Sequence, residues 1–243
     1  MKVRTLIFGL LISMLFACKQ AIPKETKPLV LEHLVRQPLV ATAHPPALIL
    51  LHGYGSNMQD LFGLSQHIPD EWLVISAQAP HQMGDNGYAW YALDFSSGQA
   101  VGQAAEAQKA QQILKEFIPQ AVNRYKANPK NIVVAGFSQG AILSAALAMD
   151  SEISIQGAAC FSGRLIEGAS VNYQKADFSK QTIFLSHGKN DPVIAYQKAT
   201  DMKAFLETRK ASVRFVSDDA QHTISNLHFA EFLKWLKELS KGY

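Results

Sequence analysis

Short, mostly apolar runs recur along the chain, and four of the six give way to turn formers and then to a longer stretch with helical spacing. The runs are residues 47–51, 72–76, 131–135, 157–161, 182–186 and 212–216. Short apolar runs of this kind read as strands with both faces buried, the pattern of a parallel sheet between helices. Helical stretches are expected at 104–125, 140–149, 193–209 and 225–239, the first holding Pro119 as its only interruption. Strands alternating with helices in this way predict an α/β fold: a mostly parallel central sheet with helices on both faces. In such sheets, sites form at the carboxyl ends of the strands.

The chain has 243 residues, 48% of them apolar and 18% charged. That suits one large α/β domain whose core needs no disulfides. Its first residues are of another kind. Lys2 and Arg4 precede an apolar run from Leu6 to Phe16, which ends at Ala17-Cys18. The run is too short to span a bilayer, which takes about 20 residues, and reads as a secretory signal peptide over 1–17. Leu15-Phe16-Ala17-Cys18 resembles a bacterial lipobox, which would make Cys18 a lipidated N-terminus on the membrane of the cell envelope. Residues 18–28, with two prolines and no periodicity, read as a tether, and 29–243 as the folded domain. The formal charge of +3 falls to +1 once Lys2 and Arg4 are removed, so neither nucleic acid nor a general pull toward anionic lipid is implied. The other cysteine, Cys160, sits in an apolar run and reads as a buried strand residue. No Cys/His spacing suggests a metal.

Gly136-Phe137-Ser138-Gln139-Gly140 follows one expected strand and opens one expected helix. The bare pattern G-x-S-x-G would turn up by chance in roughly one chain in ten of this length, so the setting matters more than the letters. Between a strand and a helix it is a nucleophile elbow, with Ser138 at the tip and free helix amides beside it. A serine hydroxyl needs a base. In this fold the partners follow in the order Ser, acid, His. Asp191 lies past strand 182–186, directly before Pro192, and can serve as the acid, as a helix cap, or as both. His222 lies between the last strand and the last helix. His187 is the rival base, but it stands only four residues before Asp191, and a short segment would have to fold back sharply to pair the two and still face Ser138. The oxyanion needs preorganised amides. Gln139 supplies one, and the glycine-bearing loop after residues 47–51 is the source of the other.

Further segments fall in a familiar order: Leu51-His52-Gly53-Tyr54-Gly55, Ala79-Pro80, Trp90-Tyr91-Ala92-Leu93-Asp94, the elbow, Phe161-Ser162-Gly163, His187 to Val193, and a histidine followed by Trp235-Leu236. From about residue 45 to 240 the chain resembles the phospholipase/carboxylesterase family of α/β-hydrolases, which includes bacterial carboxylesterases and acyl-protein thioesterases. The resemblance implies nucleophile Ser138, acid Asp191, base His222 and oxyanion amides from Tyr54 and Gln139. It also implies a nearly lidless hydrolase that uses no cofactor and acts on small esters of short to medium acyl chain, thioesters or lysophospholipids included. Trp90, Tyr91 and Phe95 would line the acyl groove; core positions are the alternative, and the loop-like glycines around them favour the groove. Two residues depart from the family pattern: Gln221 stands where glycine usually precedes the histidine, and Tyr54 replaces a leucine. A polysaccharide deacetylase or feruloyl-type esterase is the alternative enzyme, and an inactive hydrolase fold serving as a binding module is the alternative outside catalysis.

Lipidation has a direct readout. Cys18→Ser is expected to move the protein from the membrane to the soluble fraction. Mass spectrometry that finds the mature N-terminus unmodified would contradict it.

Overall fold

The computed structural model describes residues 27–94, 101–166, 168, 173 and 175–240. The expected signal segment, Cys18 and Phe95 lie outside them. The strands in chain order are β1 (His33–Arg36), β2 (Ala47–Leu51), β3 (Leu73–Ala77), β4 (His81–Met83), β5 (Gly87–Ala89), β6 (Leu93–Asp94), β7 (Val101–Gly102), β8 (Ile132–Phe137), β9 (Gly157–Phe161), β10 (Thr182–Gly188) and β11 (Ser212–Asp218). The helices are α1 (Met58–Phe62), α2 (Ala104–Arg124), α3 (Gln139–Ala148), α4 (Tyr196–Glu207) and α5 (Asn226–Ser240).

Among the described residues the central sheet runs β1-β3-β2-β8-β9-β10-β11. All its pairings are parallel except that of β1 with β3. Every residue of β2, β3 and β9 is buried, as the unbroken apolar runs require. Side chains alternate between two faces. Ile49, Ile75 and Val134 meet Leu114 and Phe117 of α2 and Leu143 of α3. Farther along the same face, Cys160 and Leu185 meet Ala145 of α3 and Met202 and Leu206 of α4. On the opposite face Leu48, Val74, Val133 and Phe184 meet Leu61 of α1 and Phe232 and Trp235 of α5. Cys160 is buried as expected, and burial pushes its thiol up to about 12.

Three local features differ from the sequence reading. The edge strand β1 was not anticipated, because its four residues are all half-buried and show neither alternation nor a fully apolar run. Two small hairpins, β4–β5 and β6–β7, occupy the stretch between β3 and α2. Helix α4 begins at Tyr196 rather than at 193, with Ala195 at its N-cap, so Asp191 does not cap it. Pro119 stays inside α2, which continues past it at the loss of one backbone hydrogen bond.

Helix α3 is buried along its whole length and sits hard against the sheet. A Cβ on Gly140 would overlap the carbonyl oxygen of Leu51 and lie 2.7 Å from that of His52. Both obstacles are backbone and cannot swing aside. Gly140→Ala is therefore expected to cost about 3 kcal/mol of stability, read as a lower urea midpoint. An unchanged midpoint would show that α3 can lift away from β2.

Candidate active site

Strand β8 ends at Phe137 and α3 begins at Gln139, so one residue makes the whole turn. That residue, Ser138, has φ 52° and ψ −111°, a region L-residues avoid at a cost of roughly 1–3 kcal/mol. Its N–H donates to Phe161 O at the end of β9 (2.9 Å), and its carbonyl accepts from Ile142 N (3.1 Å). The backbone is thus held on both sides, and the hydroxyl stands at the N-terminus of α3.

Two further loops converge on it. After β10, Asp191 is buried, with Oδ1 accepting from the N–H groups of Val193 (2.8 Å) and Ile194 (2.9 Å). This is the turn that the sequence reading took for a helix start. The other oxygen, Oδ2, faces His222 Nδ1 at 2.6 Å, and His222 Nε2 lies 2.9 Å from Ser138 Oγ. With Nδ1–H donating to the carboxylate, Nε2 is left to accept the serine proton. The Phe137 ring packs on the imidazole, with centroids 4.9 Å apart.

The loops carrying Asp191 and His222 are stitched to each other. Lys189 N donates to Asp218 O (2.8 Å), Asn190 N to Ala220 O (3.1 Å), and Asn190 Nδ2 to Asp219 O (2.7 Å). Gly188 lets them close, since a Cβ there would overlap the carbonyl oxygens of Ala220 and Gln221. Gln221 itself is exposed. Beyond His222, Asp218 accepts from Ser225 Oγ (2.5 Å) and Ala220 N (3.1 Å) and lies 3.1 Å from buried His228. None of these braces was read from the sequence.

His187 does reach Asp191, but it does not also face Ser138. Its Nε2 lies 3.2 Å from Asp191 Oδ2 and donates to Ile194 O (2.8 Å). The ring is fully buried, Nδ1 has no partner among the described residues, and burial lowers its pKa, so it is a neutral prop beneath the Asp191 loop. Ser138 meets His222 instead.

The loop after β2 carries Gly53 and Tyr54 beside the elbow. His52, completely buried, accepts from Ala79 N at Nε2 (3.1 Å) and donates from Nδ1 to Gly53 O (2.8 Å). Burial lowers its pKa and keeps it neutral, which is the state this bonding requires. Gln139 is the first residue of α3, so its N–H has no partner within the helix. Its side chain accepts from Trp90 N (2.8 Å) and donates to Tyr91 O (2.8 Å).

Trp90 and Tyr91 part company here. Tyr91 lines the cleft, and burial pushes its phenol up to about 12 despite the opposing pull of Arg164. Trp90, expected in the groove, is instead a core residue, 1% exposed. Its indole N–H donates to His52 O (2.9 Å), so it braces the loop from below. Aromatic residues in a glycine-rich stretch suit either place, and only the bonding partner decides.

The cleft has a volume of about 1030 Å³. Ser138, Gln139, Asp191 and His222 line it, together with Tyr54, Tyr91, Leu93, Ile142 and Arg164. Among the described residues no group of three His, Cys, Asp or Glu side chains could hold a metal ion.

A strained serine on a strand-to-helix turn, bonded to a histidine that is bonded to a carboxylate, has relatives. The chain is 26% identical over 230 residues to acyl-protein thioesterase 1 of Candida albicans, covering 84% of this chain and 96% of that one. It is 25% identical over 209 residues to carboxylesterase SOBER1 of Arabidopsis thaliana, covering 80% and 91%. The carboxylesterase of Bacillus cereus superposes with a TM-score of 0.75 at 23% identity, over 86% of this chain and 94% of that one. This neighbour speaks for the α/β-hydrolase fold. Residues 39–240 match the phospholipase/carboxylesterase family as a whole, and the chain belongs to that family.

Proposed function

We propose that this protein is a serine carboxylesterase acting on small esters of short to medium acyl chain through an acyl-enzyme. Ser138 is the nucleophile, His222 the base and Asp191 the carboxylate that orients it. What supports this reading above all is the unbroken chain from Ser138 Oγ through both nitrogens of His222 to Asp191 Oδ2, at 2.9 and 2.6 Å. His222 Nε2 takes the hydroxyl proton as Oγ attacks the ester carbonyl, and the negative charge that develops on the carbonyl oxygen faces the amides of Tyr54 and Gln139. His222 then passes the proton to the departing alcohol. Water, deprotonated by the same nitrogen, attacks the acyl-enzyme and releases the acid. Every group in this scheme belongs to the chain, so it calls for no cofactor. The lipid on Cys18 would hold the enzyme at the membrane of the cell envelope, with residues 19–28 as a tether that could reach about 35 Å when extended.

Two histidines flank Asp191, His187 buried and His222 half-buried, and they separate the roles. His222→Ala is expected to lower kcat for p-nitrophenyl esters at least about a thousandfold, and Ser138→Ala to remove turnover and labelling by a fluorophosphonate probe. His187→Ala should cost far less activity and show mainly as a lower melting temperature. Near-parental turnover by folded Ser138→Ala, or the reverse order of the two histidines, would overturn the assignment.

A further inference from the structure

The cleft holds a cation that the acyl transfer above does not use. It is carried there by the chain that leaves β9. Phe161 O receives the N–H of Ser138, and the next residue, Ser162, has φ 52° although it is not glycine. Ser162 is fully buried, its N–H donates to Ser186 O (2.8 Å), and its hydroxyl has no partner among the described residues. A strained turn held at a strand end is kept because of where it sends the chain. Here the chain is sent along the cleft, with Arg164, Leu165 and Ile166 on its wall.

Arg164 is half-buried in a cleft whose lining also includes Leu93, Ile142 and Tyr91. Its Nη1 donates to Leu165 O (3.1 Å). Among the described residues no carboxylate stands within ion-pair distance of it, and Nε and Nη2 donate to none of them. The carboxylates that share the cleft are otherwise engaged. Asp191 holds His222 and two amides, Asp60 accepts from Ser56 Oγ (2.7 Å), and Asp201 accepts from Gln197 (2.8 Å). Lys198 is exposed at the rim, three residues from Asp201 on α4, where opposite charges offset each other. The guanidinium is half-buried and, among the described residues, without an anion, an arrangement that a bound anion would complete. Its Nε–Nη2 edge is the fork that takes a carboxylate through two parallel hydrogen bonds.

We propose that Arg164 makes this enzyme selective for esters that carry a carboxylate, seated on that edge while the ester carbonyl meets Ser138. The inference rests on the esterase reading above, which it sharpens from esters in general to anionic ones. Tyr91, protonated, presents a neutral wall beside the seat and brings no competing negative charge.

Two matched pairs of substrates test it. On the acyl side, mono-p-nitrophenyl adipate is compared with p-nitrophenyl hexanoate. On the alcohol side, 4-acetoxybenzoate is compared with phenyl acetate. In at least one pair the ratio of kcat/KM, carboxylated over neutral, should fall tenfold or more in Arg164→Gln and be partly kept in Arg164→Lys. Equal ratios in the parent and Arg164→Gln for both pairs would overturn the proposal while leaving the esterase reading in place. Calorimetric binding of the same esters to Ser138→Ala, with and without Arg164→Gln, reads the seat without turnover. If the parent hydrolyses none of these esters, the esterase reading fails. Tighter binding of the carboxylated ester that depends on Arg164 would still carry the anion seat, and binding indifferent to Arg164 would sink it.

Discussion

The backbone at Ser138 occupies a conformation it would leave if it could, and the site depends on its being unable to. Its φ of 52° persists because β8 and α3 hold the residues on either side. The N–H bond to Phe161 O ties the turn to the neighbouring strand. Gly136 and Gly140 are pressed so close that a Cβ on either would overlap backbone. The strain of one residue is small against the burial of the whole of α3, so the packing of the helix imposes it. In return the hydroxyl projects from the tip of a turn one residue long, beside an open helix N-terminus.

A serine so fixed meets His222 and Asp191 only if they are equally fixed, and they come from loops that have no regular structure of their own. The parallel pairing of β10 and β11 brings the two loop origins side by side. Hydrogen bonds from Lys189 and Asn190 to the far loop, and the bare backbone at Gly188, then lock them into one unit. Asp191 spends one oxygen on its own turn and the other on His222, so the carboxylate that shapes the loop also orients the ring. His187 below, and the Asp218–Ser225–His228 group beyond, prop the two ends. The loop after β2 is braced in the same manner, by neutral His52 and by the indole of Trp90.

Much of this was legible in the residues, and the exceptions follow a pattern. The central strands could be read because burial on both faces leaves an unbroken apolar run, as at Ala47–Leu51 and Gly157–Phe161. The elbow could be read because its glycines and its place between a strand and a helix are local facts. Edge strand β1 could not, since half-buried residues leave no period to detect. The start of α4 was placed early because an aspartate followed by proline looks like a helix cap, whereas here its side chain closes a separate turn first. Trp90 was set in the groove because composition does not tell which way a side chain turns. The Lys189 and Asn190 bonds were invisible because their acceptors are backbone carbonyls, which carry no residue identity.

The sequence by itself therefore determined the α/β class, the order of the main elements, the position of the elbow and the candidates for its partners. Each of these follows from hydrophobic period, turn chemistry or spacing within a short window. Only the tertiary structure decided which of the two histidines meets Ser138, that Tyr91 faces the cleft while Trp90 supports it, and that Arg164 stands on the cleft wall with no carboxylate among the described residues in ion-pair reach. These depend on contacts between residues tens of positions apart, such as Ser138 with His222 and Trp90 with His52. Such contacts are set by how the strands are ordered in the sheet and by what can pack between them. No local property of the chain records that ordering.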